Sequence, residues 1–257
     1  MSIRRLCMAL IVLMALVAPV NAQDEMTNTL TFNNLSLSFE ATLATGVTVE
    51  QVAATPVSDN QPFFESAPAH TQFTLLNYAG LVDDPSAAIL QPRLQMFNTA
   101  DFAQYSFFAD QLAQLETLLK DQPDLSPYMA ASMPGQSAEN LPYLPAVNAA
   151  QVFRAHAHYL ETGDWRGVAY LTYFSQAMMP VREGEVFYTF QGISADEQHY
   201  LAATLPVRAG LSDPGAVTDD YPAYLQQLVD QLNAQSQSDF TPDLDTLDAL
   251  VTSVAVQ

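Results

Sequence analysis

Arg154, His156 and His158 stand at alternate positions of the run Gln151–Leu160, which is rich in strand-forming residues. In an unbroken strand, residues at i, i+2 and i+4 point to one face. The spacing therefore predicts a guanidinium and two imidazoles on one side, with Phe153, Ala155, Ala157 and Tyr159 on the other as core. Two chemistries open from that arrangement. A His-x-His pair holds zinc or another divalent ion when a carboxylate or third histidine completes the set, which makes His156 and His158 the metal candidates. The other histidines are His70 and His199, and His199 opens a later strand. Alternatively Arg154, His156 and His158 line a polar ligand pocket. The competing reading is a sheet face with a purely structural role, and it is the one the residues favour. Trp165, beside Arg166 at the tip of the following hairpin, is expected to be exposed and is the remaining ligand-binding candidate. No cofactor is implied.

Other catalytic patterns are weaker. There is no Gly-x-Ser-x-Gly elbow, and Ser132 and Ser137 lie in a loop with no base placed beside them by motif. The chain holds 28 Asp and Glu residues, so a carboxylate pair at glycosidase separation carries no specificity. Asp243, Asp245 and Asp248 open a C-terminal helix, where charge–dipole complementarity accounts for the first two. They do not match a calcium loop built around a glycine turn. The only cysteine is Cys7.

The elements that must position these residues read as follows. Thr29–Phe32 and Leu35–Phe39, joined by Asn33-Asn34, predict a β-hairpin, since asparagine tolerates the positive φ of a tight turn. Residues 51–70, with Pro56, Pro62 and Pro68, read as an irregular excursion. Thr71–Asn77 and Leu90–Phe97 are strand candidates, the second expected at a sheet edge because of Pro92. Phe102, Tyr105, Phe108, Leu112, Leu115 and Leu119 form an apolar stripe, predicting a helix over Thr99–Lys120 capped by Thr99. Its polar face lacks the cations of an interfacial helix, so the stripe is expected in the core. Residues 122–147 carry five prolines and form a long loop, the best candidate for a lid or binding loop.

Gln151–Leu160, Gly167–Phe174, Glu185–Gly192 and His199–Val207 follow, separated by short turns, and predict an antiparallel four-strand meander. Its aromatics (among them Tyr170, Phe174, Phe187 and Tyr200) populate both faces. One set must be core, and the other is either a stacking platform for a sugar or peptide or, as favoured here, covered by helices. Two helices close the chain, one starting at Pro222 and one at Thr241-Pro242. Strands in a block with helices before and after imply an α+β fold. The expected architecture is one antiparallel sheet, hairpin plus meander, packed against the central helix and the C-terminal helices.

Residues 1–22 carry Arg4 and Arg5, an apolar stretch Leu6–Val20, and small residues in Val20-Asn21-Ala22. This pattern predicts an export signal cleaved between Ala22 and Gln23, leaving residues 23–257 as a single secreted or extracytoplasmic domain. The apolar stretch is shorter than the roughly 20 residues of a spanning helix, so no membrane span is expected in the mature chain. Cleavage removes Cys7, excluding thiol chemistry and disulfides. The full chain has 8 basic residues and a formal net charge of −20, which repels phosphate backbones and excludes nucleic acid as a partner.

Asn148–Ala155 (NAAQVFRA), Gly167–Thr172 (GVAYLT), Val186–Gly192 (VFYTFQG) and Tyr200–Val207 resemble uncharacterised exported bacterial proteins. That resemblance implies a localisation and no activity. The element order and the ending Leu247–Ser253 (LDALVTS) are more distantly similar to PsbP-like α+β domains, without the tryptophan often found after the first hairpin. The expectation for function is a secreted, non-enzymatic binding or accessory protein whose partner is a small molecule, a glycan or an envelope protein. The alternatives are an exported metal-dependent hydrolase centred on His156 and His158, and a structural envelope component.

Overall fold

A computed structural model describes residues 27–81, 90–132, 140–212 and 220–256. The expected export signal, and Ser137 with it, lies outside these residues. The chain is an α+β protein built on antiparallel pairing throughout. In chain order the strands are β1 (Thr27–Phe32), β2 (Leu35–Glu40), β3 (Gly46–Val52), β4 (His70–Leu76) and β5 (Arg93–Asn98). Helix α1 (Ser106–Asp121) follows, then β6 (Ala150–Glu161), β7 (Trp165–Ser175), β8 (Phe187–Ser194) and β9 (His199–Pro206). The chain ends with α2 (Tyr221–Ala234), α3 (Leu244–Thr252) and β10 (Ala255–Val256).

Seven strands form one sheet in the order β3-β4-β5-β9-β8-β7-β6, and the last four are the predicted meander. Both faces are covered, which is why its central strands alternate between two cores rather than between core and water. On β9, Leu201, Ala203 and Leu205 pack with α2, α3 and the N-terminal hairpin. Tyr200 and Ala202 pack beneath Phe102, Phe108 and Leu115 of the α1 region. Sheets and helices thus stack in layers, and most aromatics of the meander are covered.

Four expectations are corrected. The hairpin does not join the main sheet: β2 is flanked by β1 and by β10, with Ala255 opposite Ser36, in a separate three-stranded sheet. The excursion after residue 51 is partly ordered, since β3 reaches Val52 and Thr55 bridges Ala67. β5 is interior, between β4 and β9, because Pro92 lies just before the strand and removes no ladder donor. The helix expected from Thr99 is interrupted. Residues Thr99–Gln104 form a 3-10 turn whose Ala100 N–H donates to the Asn98 side chain at 3.0 Å. Tyr105 is then extended (φ −125°, ψ 93°) before α1 begins. α1 ends at Gln122 with a left-handed φ of 40°, just before Pro123.

Candidate functional site

The three residues singled out on β6 do not share a face. Opposite Tyr170, β6 inserts an extra residue between Ala155 and His158, and His156 sits there at φ 51°. A bulge of one residue reverses the side-chain parity beyond it. Before the bulge Phe153 and Ala155 face the α2–α3 core; beyond it Ala157 and Tyr159 lie against the α1-side core.

Arg154 consequently points to the α1 side alone, fully buried. Its Nε donates to Tyr128 O at 2.8 Å, Nη1 donates to Ser132 Oγ at 2.7 Å and Asn140 Oδ1 at 3.0 Å, and Nη2 donates to Ala130 O at 3.3 Å. It stitches the chain after α1 to the sheet. The two histidines face the opposite layer. His156 Nε2 donates to Leu232 O at 2.5 Å, while its N–H donates to Asn233 Oδ1. His158 Nδ1 donates to His156 O at 2.9 Å, and Nε2 meets Asp248 Oδ2 at 2.9 Å. Tyr188 donates to the other Asp248 oxygen at 2.7 Å. Burial pulls the His158 pKa down, but the hydrogen bond and charge of Asp248, the His156 carbonyl and Asp245 together raise it. Both ring nitrogens of His158 are thus already engaged, Nδ1 by the His156 carbonyl and Nε2 by the Asp248 carboxylate. Among the described residues no group of three His, Cys, Asp or Glu side chains is placed to hold a metal ion.

Trp165 is not exposed either. It opens β7 fully buried, and its indole N–H donates to Val254 O at 2.6 Å, tying the chain end to the core.

The built cavity is elsewhere, on the α1 face of the sheet, with a volume of about 600 Å³. That falls in the range of small-molecule sites. Its walls are aromatic: Tyr143 lies 4.6 Å from Phe174 and 5.9 Å from Phe187, ring centre to ring centre, and Phe174 stacks on Phe187 at 6.1 Å. Arg93, the first residue of β5, enters beside Thr204, its cross-strand neighbour on β9. The Arg93 Nε is buried and has no hydrogen-bond acceptor among the described residues. Among the described residues no carboxylate pairs with it. The wall carboxylate Glu185 instead accepts from the Arg182 N–H at 2.8 Å.

The charge of Arg93 is felt by its neighbours. Burial raises the Tyr143 pKa, against the Thr204 hydrogen bond and the Arg93 charge that lower it. Burial lowers that of His70, and Arg93 adds to this while the Pro68 carbonyl and Glu50 oppose it.

Tyr143 is held by the strap of residues 141–145. Gln111 on α1 accepts from the Tyr143 N–H at 2.7 Å, and Tyr170 donates to Pro142 O at 2.8 Å. The fully buried Gln191 accepts from Leu144 N–H at 2.8 Å and donates to Leu144 O at 3.1 Å. The loop read from its prolines as a lid or binding loop therefore contributes, in this part, a fixed wall.

Sequence reasoning placed Phe174 and Phe187 among the meander aromatics but missed Arg93 and Tyr143. The available signal was an arginine inside a strand candidate of a chain with few cations. A guanidinium without a carboxylate partner among the described residues, on the wall of an aromatic cavity, can bind a carboxylate through a charge-assisted, bidentate contact while the rings take an apolar body. No helix of the described residues is long and apolar enough to cross a membrane. No family model, curated protein or solved structure matches the chain.

Proposed function

We propose that this protein is a non-enzymatic binding or accessory protein for small organic carboxylates, acting outside the cytoplasm, with Arg93 as the anion anchor. One observation carries the reading: the Arg93 side chain, with no carboxylate partner among the described residues, lines a cavity of about 600 Å³ beside three aromatic rings. A charge-assisted hydrogen bond from the guanidinium to a ligand carboxylate is stronger than a neutral one. Tyr143, Phe174 and Phe187 supply apolar surface for the ligand body, and Thr204 supplies a hydroxyl beside the anchor. The hydrolase and envelope-structure alternatives have no observation of this kind behind them.

Benzoate and benzamide, equal in shape and different in charge, test the reading. At ten times its dissociation constant a ligand stabilises the folded state by about 1.4 kcal/mol. Benzoate is expected to raise Tm and benzamide to leave it unchanged. Equal shifts, or none with benzoate, overturn the proposal.

A further inference from the structure

A second recess of about 410 Å³ adjoins the cavity, and Tyr143, Val147, Ala149 and Phe174 line both. Its far end is aromatic. Phe63, from the 3-10 turn Phe63–Glu65, is 58% exposed and lies 5.3 Å from Phe107 of α1, ring centre to ring centre. The two rings leave an aromatic surface at the end of the recess on which a ligand face can pack. Phe107, Gln111 and Gln114 follow at i, i+4 and i+7, so one stripe of α1 presents a ring and then two amides to the recess.

The amides are half used. Gln111 spends Oε1 on the Tyr143 N–H, and Gln114 spends Nε2 on Asn140 O. Asn140 accepts from Arg154 through Oδ1. Among the described residues this leaves a donor on Gln111, an acceptor on Gln114 and a donor on Asn140. Mixed donors and acceptors beside an exposed ring match a sugar, whose hydroxyls both donate and accept and whose C–H face packs on an aromatic one.

We propose, resting on the carboxylate reading above, that the ligand is an oligosaccharide carrying one acidic sugar. Its carboxylate sits on Arg93 and its neutral sugars run past Tyr143 and Phe174 to Phe63 and Phe107. A single acid is specified because the chain's formal net charge of −20 repels polyanions and offers one anchor in the cavity.

The test measures dissociation constants of the full chain for glucuronate, aldobiouronate and aldotetraouronate, with xylotetraose as the neutral control. The expected result is binding that tightens by about three- to tenfold from glucuronate to aldotetraouronate, the scale of one aromatic contact. Phe63→Ala is expected to abolish that gain and leave glucuronate binding unchanged; its exposure makes misfolding no obstacle. Equal affinity along the series, with glucuronate binding still weakened by Arg93→Leu, overturns the sugar chain and leaves the carboxylate anchor standing. A length gain sensitive to Phe63 but unaffected by Arg93→Leu overturns the anchor, and with it the acidic end of this ligand. Tighter binding of xylotetraose than of aldotetraouronate overturns the proposal as well.

Discussion

Gln191 grips Leu144 with both ends of its amide, accepting from the Leu144 N–H at 2.8 Å and donating to the Leu144 carbonyl at 3.1 Å. Tyr200 donates to the same Gln191 oxygen at 2.7 Å. One buried side chain of β8 thus fixes the strap that carries Tyr143, and Tyr143 forms the wall shared by cavity and recess.

Gln191→Leu removes both partners of Leu144 and strands two buried backbone groups. Each orphan costs about 1–3 kcal/mol, so the unfolding free energy measured in urea should fall by about 2–6 kcal/mol. Carboxylate affinity should fall too, as Tyr143 loses its fixed position.

Arg154→Met tests the separation of scaffold from site. Arg154 holds the carbonyls of Tyr128 and Ala130 and the side chains of Ser132 and Asn140. Losing these bonds should cost about 2–4 kcal/mol of stability. Benzoate affinity at Arg93, measured calorimetrically on the folded variant, should change less than about twofold because no Arg154 contact reaches that cavity.

His158 gives stability a pH dependence of definite sign. Its folded pKa is raised above the ordinary imidazole value of 6.5, so the folded state holds the proton more tightly than the unfolded chain. The resulting stabilisation is complete below about pH 6.5 and fades as pH rises through the folded value. Discounted for its partial exposure, the contribution is on the order of 1 kcal/mol. Unfolding free energies of wild type and His158→Gln from pH 5.5 to 9 should converge as pH rises; divergence would contradict the assignment.

Trp165→Phe keeps an aromatic ring in the core but leaves Val254 O without its indole donor. A cost of about 1–3 kcal/mol is expected. Hydrogen exchange at Ser36, opposite Ala255 in the small sheet, should accelerate more than exchange on β8.

Much of the architecture was legible because it is local. The meander follows from period-two runs and turn residues, and α1 from the spacing of Phe108, Leu115 and Leu119. The site was not, because it depends on partners far along the chain. Parity on β6 fails at His156, where the bulge is stabilised by Leu232 and Asn233, more than seventy residues away. Nothing in Gln151–Leu160 announces it. Arg93 looks like an ordinary strand arginine until the register places it beside Thr204, with no carboxylate partner among the described residues. The burial of Trp165 likewise depends on Val254, in the last turn of the fold.

The central claim is that Arg93 anchors a carboxylate. Calorimetric titration of benzoate into wild type and Arg93→Leu tests it most directly. A charge-assisted contact is worth about 1.5–3 kcal/mol, so the variant should bind about ten- to a hundredfold more weakly. Equal dissociation constants for the two proteins would contradict the account.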